Sequence, residues 1–303
     1  MYRQNFDFIV EQAKKAQKPA RVIIAGADCE NILRGAFKAQ SDGFVELILA
    51  GNEGRIKDML KKLGMISAKY SIETVSDDEN VTQHCINVIR NGGADILMRG
   101  NTQTQDFLFP IVEKENGLMT DKLLTQVTMV KFADYDRVLA ISDVTVVPTP
   151  DEQQRKKVVQ NMAGLMTKLG YEKPNIALLA LTEKPAFRMK DTIEADNIAR
   201  EHKEKPIANC NLVGPISYDL IVSKEAARLK GYNNPMCGEF DGIVVPDLLT
   251  GNVLVKALQM NGHASSCGVI VGANIPIAIT SRSDTMEQSY LSLAACVAMH
   301  LAG

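Results

Sequence analysis

Short apolar runs recur along the chain, "RVIIAG", "VELILAG", "ADILMRG", "RVLAISD", "NIALLAL", "GIVVPDL", "CGVIVGA" and "PIAITS", with helix-like stretches between them. Runs this short, without polar alternation, suit strands covered on both faces, and strands alternating with helices build βαβ units around a mostly parallel sheet. The fold class is therefore α/β. Several runs stop at polar or glycine-containing sequence: "RGNTQTQD" after Met98, "SDVTVVPTPDE" after Ile141, "TEKP" after Leu181 and "PDLLTGN" after Val245. Ligands of open parallel sheets collect beyond the carboxyl ends of the strands, so the chemistry is expected in these loops.

A chain of 303 residues, 46% of them hydrophobic, is long enough for two domains. Pro148 and Pro150 in "VVPTPDEQQRKK" interrupt regular structure before a helix starting near Asp151, which puts the boundary near Asp143. No low-complexity tether separates the halves, so they are expected to pack around a cleft. Phe6, Ile9, Val10 and Ala13 share one face of an N-terminal amphipathic helix. The last stretch, Asp284 to Leu301, is apolar around most of its circumference and must be buried by its own subunit or by a partner.

A net charge of -2 gives no electrostatic reason for the whole surface to bind nucleic acid or an anionic membrane. No apolar stretch approaches the roughly 20 residues that span a bilayer, and a cytoplasmic protein is expected. The six cysteines form no C-x-x-C pair, which argues against a zinc site or a disulfide framework.

The candidate site residues are those able to hold an anion. Ser281 and Arg282 follow the expected strand Ile275 to Thr280 and precede a helix, so backbone N–H groups, a hydroxyl and a guanidinium can converge on a phosphate or an acyl oxygen. Asp284 and Glu287 have the spacing of a variant capping box, with Ser283 as an alternative cap. Arg99 and Gly100 end another strand, followed by Asn101, Thr102 and Thr104, whose hydroxyls and amides suit phosphate or a pantetheine arm. Asp247, Gly251, Asn252 and Lys256 follow a third strand, where Gly251 and Asn252 allow a tight turn; a simple turn with an N-cap and a solvated lysine are the alternatives. Glu183 is a site acid or a solvated loop carboxylate, and His300 reads as a packed helix residue. No H-E-x-x-H, G-x-S-x-G or Walker A pattern occurs.

Five blocks, "ADILMRGNTQTQDFL", "YDRVLAISDVTVVP", "NLVGPISYDLIVSKEAARLKGY", "FDGIVVPDLLTGNVLVKAL" and "CGVIVGANIPIAITSRSDT", resemble the phosphate acetyl/butyryltransferase family, most of all its butyryl branch. The resemblance implies a two-domain fold like that of isocitrate and isopropylmalate dehydrogenases, usually a homodimer. It implies a first domain of residues 1–142 plus 284–303, a second of 143–283, and a site in the cleft between them. The implied reaction is acyl-CoA plus inorganic phosphate to acyl phosphate plus free CoA, on a short acyl chain such as butyryl or a branched relative. It implies no covalent acyl-enzyme, metal or tightly bound cofactor, with coenzyme A and phosphate as substrates. Ser281 and Arg282 would act on the carbonyl oxygen, thiol and phosphate, with Asp284 or Glu287 as a possible base. Arg99, Gly100, Asn101, Thr102, Thr104, Gly251 and Asn252 would line the CoA and phosphate pocket, with Gly272 and Ala273 beside the pantetheine. The chain departs from the family pattern at Phe109 and Met119, where relatives often carry arginine, at Val144 in place of a cysteine, and at Gln288 in place of the acetyl-type aspartate. Phe109, Met119 and Gln288 also fit a CoA-binding protein with little turnover. A nicotinamide-dependent dehydrogenase of the same fold lacks a G-x-G-x-x-G helix opening.

Overall fold

The computed structural model describes residues 3–281 and 284–302. The chain divides into two compact units, Asp7–Leu124 with Cys267–Gly303 (the flanking unit) and Met1–Phe6 with Thr125–Ser266 (the inserted unit). In chain order, the flanking unit contributes α1 (Asp7–Ala13), β1 (Ala20–Ala25), α2 (Glu30–Ser41), β2 (Val45–Gly51), α3 (Glu53–Leu63), β3 (Ser71–Thr74), α4 (Val81–Arg90), β4 (Ile96–Arg99) and α5 (Thr104–Val112). The inserted unit follows with β5 (Thr125–Lys131), β6 (Leu139–Ser142), α6 (Glu152–Lys168), β7 (Asn175–Leu179), α7 (Lys190–Glu204), β8 (Asn211–Ile216), α8 (Tyr218–Val222), α9 (Lys224–Lys230), β9 (Gly242–Val244) and α10 (Leu248–Met260). The chain closes with β10 (Ser265–Val271), β11 (Ile277–Ala278) and α11 (Met286–Leu301).

In the flanking unit the strand order is β3-β2-β1-β4-β11-β10, parallel except for the β10–β11 pair. Ile24 stands opposite Leu49 on one side and Met98 on the other, and all three are fully buried, which is why these strands read as unbroken apolar runs. In the inserted unit the order is β5-β6-β9-β7-β8, with only β5–β6 antiparallel. Its core joins Leu139, Ile141, Ile243 and Val245 to Leu220, Phe240 and Val255.

The chain passes between the units at 6/7, 124/125 and 266/267, where 142/143 and 283/284 were expected. The reason is pairing. β5 joins β6 as an antiparallel neighbour and stays with the inserted unit. β10 joins β11, which in turn pairs with β4, so all of "CGVIVGANIPIAIT" stays with the flanking unit.

Three strands carry no clear signal in the sequence. β5, "TQVTMVK", buries Thr125, Gln126 and Thr128 as well as its apolar residues. β3 is a short edge strand with no fully buried residue, and β8 contains Gly214 and Pro215 on the opposite edge. The apolar terminal helix is covered within its own unit. α11 packs on α1 and α2, so closely that a Cβ on Gly35 would stand 2.6 Å from the Met286 carbonyl oxygen. His300, expected to be packed, is exposed at its last turn. All six cysteines are free thiols. Among the described residues no helix is long and apolar enough to cross a membrane, and no group of His, Cys, Asp and Glu could hold a metal ion.

Candidate functional site

Two loops in the flanking unit meet through their main chains. Gly100 donates its N–H to the Ala25 carbonyl at 2.8 Å, and Asn101 donates to the Gly26 carbonyl at 2.7 Å. A Cβ on Gly100 would fall 2.1 Å from the Gly26 oxygen, so no other residue fits there without moving backbone.

Arg99 carries this contact further. Its guanidinium is 6% exposed; Nε and Nη2 donate to the Thr102 carbonyl at 3.2 and 2.7 Å, and Nη1 donates to the Thr280 carbonyl at 3.4 Å. One buried cation thus ties the loop after β4 to the residue preceding Ser281. Arg99, expected among the ligand-binding side chains, donates to these protein carbonyls, as a buried guanidinium must find acceptors. The hydroxyls of Thr102 and Thr280 are buried on either side of it, with no hydrogen-bond partner among the described residues. Asn101 is exposed, and Thr104 opens α5 half-buried.

At the start of α11, Ser281 donates its N–H to Asp284 Oδ2 at 2.8 Å, and Asp284 returns its N–H to the Ser281 carbonyl at 2.9 Å. The Asn31 amide donates to the Asp284 carbonyl at 3.0 Å. Arg282 and Ser283 lie outside the described residues. The capping box expected at Asp284 and Glu287 is instead made one residue later, by Thr285 and Gln288. Thr285 has the hydroxyl that suits an N-cap, and Gln288 reaches back to its N–H at 2.6 Å. Gln288 therefore has a structural role, closing the capping box of α11. Glu287 is exposed in the first turn, where the helix dipole favours a negative charge.

Gly272 and Ala273 support a neighbouring segment of the same unit. Gly272 adopts φ +100°, and a Cβ there would meet the Leu123 carbonyl oxygen at 2.2 Å. Its own carbonyl accepts the Thr120 hydroxyl at 2.6 Å, and Ala273 bridges antiparallel to Met119. Phe109 is 64% exposed on α5.

Gly251 and Asn252 belong to the inserted unit and do not form the expected turn. Both lie inside α10, whose N-cap is Asp247, accepting the Thr250 N–H at 2.8 Å. Gly251 permits close approach, since a Cβ would stand 2.4 Å from the Asp143 carbonyl oxygen. Asn252 donates to the Val144 carbonyl at 3.3 Å. The turn they clamp is organised by buried Asp143, whose carboxylate accepts N–H groups of Gln126, Thr145, Val146 and Val147. Burial nonetheless raises the Asp143 pKa above the ordinary carboxylate value. Only the strand-end position of "SD" hinted at that residue. Glu183 is partnered, accepting the Ser217 hydroxyl and lying 3.6 Å from Lys230.

A crevice of about 580 Å³ opens beyond the carboxyl ends of β1 to β4, at the point where β1 has β2 on one side and β4 on the other. It is lined by Asp28, Asp77, Asp78, Glu79 and Asp106 against a single cation, Arg55, which pairs with Asp28 at 3.3 Å and Asp77 at 2.5 Å. Asn101 and Thr102 line it too, and the carboxylates repel a phosphate that approaches their side of the crevice.

A family model described as phosphate acetyl/butaryl transferase matches residues 79–297. The chain is 30% identical to a phosphate acetyltransferase of Rhizobium meliloti, over 93% of this chain and 89% of that protein. It is 28% identical to a phosphate butyryltransferase of Clostridium acetobutylicum, over 97% and 98%. Among solved structures, a branched-chain phosphotransacylase from Enterococcus faecalis V583 superposes with a TM-score of 0.81 at 28% identity, covering 93% of this chain and 99% of that one. A phosphotransacetylase from Streptococcus pyogenes shares the fold at a TM-score of 0.80 and 19% identity, covering 98% of both chains.

Proposed function

The chain belongs to the phosphate acetyl/butyryltransferase family and is a phosphate acyltransferase, and from that premise we propose that it moves a short acyl group, butyryl or a branched relative, reversibly between coenzyme A and inorganic phosphate. In the acyl-phosphate-forming direction a phosphate oxygen attacks the thioester carbonyl. The tetrahedral centre then collapses with loss of the CoA thiolate, which takes up a proton from solvent. A thiol of pKa near 8.5 leaves readily, so this direction needs charge stabilisation more than a strong acid.

Ser281 and Arg282 supply that stabilisation, Ser281 through its hydroxyl at the acyl oxygen and Arg282 at the phosphate. Gly100, Asn101, Thr102 and Thr104 hold phosphate and the pantetheine amides, with Gly272 and Ala273 alongside. Arg99 acts as a positioning residue. In the reverse direction the thiol must ionise, and Asp284, which Ser281 holds by its N–H, is the carboxylate nearest that task; Glu287 is the second candidate. Gly251 and Asn252 contribute by shaping the turn at 143–147.

The observation that carries this reading is the Arg99 link from Thr102 to Thr280, which couples the loop after β4 to the residue before Ser281. Preference for a butyryl or branched chain is supported by the names of the butyryl and branched-chain relatives. The reaction needs no bound cofactor, and we expect a cytoplasmic homodimer. A CoA-binding protein with little turnover is the second reading, favoured by Gln288, which caps a helix and cannot take a proton.

The test is initial-rate thiol release from acetyl-, propionyl-, butyryl- and isobutyryl-CoA, with and without phosphate. Phosphate-dependent release fastest with butyryl- or isobutyryl-CoA supports the first reading. Preference for acetyl-CoA would make the enzyme a phosphate acetyltransferase, and CoA binding without release would leave the second reading in place.

A further inference from the structure

α10 departs from the rule that the outward face of a surface helix is polar. Its inner side carries buried Gly251 and Val255, and on the opposite side Leu249, Val253, Ala257 and Met260 follow one another at helical spacing. Leu249 is 73%, Val253 56% and Met260 72% exposed, and Ala257 is exposed between them. α3 shows what an ordinary water-facing side looks like: there Lys57, Asp58, Lys61 and Lys62 are the exposed residues. Along α10 the single charged residue is Lys256, at the edge of the stripe, where its ammonium donates to the Gln259 amide oxygen at 3.3 Å.

A continuous apolar face without charge marks a surface that another molecule covers, since interface centres are poor in charged residues and rich in large apolar ones such as methionine. The stripe reads alike from both ends, with Leu249 and Met260 at its limits and the smaller Val253 and Ala257 between them. Two antiparallel α10 helices related by a two-fold axis set Leu249 against Met260 and Val253 against Ala257, and the small pair lets the helices approach closely. The face offers no charge to orient a different protein, so its self-complementarity singles out a second copy of the chain. A stable dimer buries about 800 Å² on each partner, more than one helix supplies. α9 packs on the same core as α10, through Ala227 and Val255, and brings Leu229, 71% exposed, to extend the contact.

We propose that the chain dimerises through the outer face of α10, packed antiparallel on α10 of a second copy. This rests on the homodimer expected above and names its surface, which lies in the inserted unit and uses none of the residues assigned to the reaction.

The experiment is sedimentation velocity over a dilution series of the wild type, Val253→Asp, Met260→Lys and Phe187→Asp, the last a control at a residue 97% exposed and off the stripe. Wild type and control should sediment as dimers. Val253→Asp and Met260→Lys each put a charge into the contact and should raise the dimer Kd about 100-fold, with an unchanged far-ultraviolet circular dichroism spectrum because both positions face water in the monomer. A wild type that is monomeric throughout, or a dimer that survives both variants, overturns the proposal. Val253→Cys and Ala257→Cys chains should be joined by a short bismaleimide when the two are mixed and allowed to exchange, well above either alone and above the wild type. Equal joining of each variant with itself overturns the antiparallel arrangement. Thiol release on the same samples separates the two readings: a monomer with normal phosphate-dependent release sinks the interface alone, and an α10 dimer with no release sinks the acyl-transfer reading while the interface stands.

Discussion

The loops at the carboxyl ends of the strands are built in opposite ways in the two units. In the flanking unit, the loop after β4 is pressed against the loop after β1 by main-chain hydrogen bonds, around a glycine that tolerates no side chain and a buried guanidinium. In the inserted unit, the loop after β7 holds its backbone just as firmly but turns Phe187, Lys184 and Arg188 outward without partners. Stabilising a transition state demands donors fixed to within a fraction of an ångström, and rigid backbone provides that.

Gly100→Ala gives the sharpest test of this contrast. With a Cβ 2.1 Å from the Gly26 oxygen, the two loops cannot both keep their places, and the loss of stability should exceed roughly 4 kcal/mol or prevent folding. An alanine variant with an unchanged urea midpoint would show that the flanking loops are not tightly packed at all.

Arg99→Met is next in size. It leaves the Thr102 and Thr280 carbonyls without their donor, which should cost about 2 kcal/mol in urea titration. Displacement of Ser281 should lower kcat/KM by about 100-fold. If catalysis and stability both survive, the Arg99 staple is not what fixes the loop.

A third effect depends on pH. Asp42, at the end of α2, accepts the Tyr290 hydroxyl of α11 at 2.6 Å and has Lys14 and Lys38 at 3.3 and 3.4 Å. The tyrosine hydrogen bond chiefly, helped by the lysines, holds its carboxyl below the ordinary value. A carboxyl depressed in the fold adds stability above its unfolded pKa, near 4, and loses it as pH falls through the folded value. Stability should therefore drop on acidification below about pH 4, and Asp42→Asn should lower the midpoint at pH 7 while flattening that acid limb. Parallel pH curves for the two proteins would remove Asp42 from the account.

The smallest effects belong to the inserted unit. A Cβ at Gly164, inside α6, meets nothing within 4 Å, so Gly164→Ala should raise stability by about 0.5–1 kcal/mol. Phe187→Ala should shift it by less than about 0.5 kcal/mol, since the ring is exposed. A large loss on removing Phe187 would mean that its ring is packed rather than exposed in solution.

Much of the fold was legible in the sequence because burial on both faces leaves a local mark. β1, β2, β4, β6 and β10 are apolar wherever they run between helices, and the capping box of α6 at Asp151 and Gln154 stands in plain view. β5 escaped because its buried face carries threonine and glutamine, and β3 and β8 because edge strands need no apolar face. The motifs around Ser281, Gly100 and Gly251 announced special positions, yet the tasks of Arg99, Gly251 and Gln288 were not readable from residue type. Arginine, glycine and glutamine serve a ligand or their own backbone equally well.

Sequence by itself determined the α/β class, the family and the strand ends at which chemistry had to be sought, since hydrophobic period and helix signals act over a few neighbouring residues. The tertiary structure alone decided which loops touch. It turned Arg99 inward to the carbonyls of Thr102 and Thr280, gave the switch-point crevice an acidic lining, and left Phe187 and Arg188 facing solvent. Those outcomes depend on groups as far apart in the chain as Arg99 and Thr280, and a side chain's partner is settled by distance in space, on which hydrogen bonds and charge pairing depend.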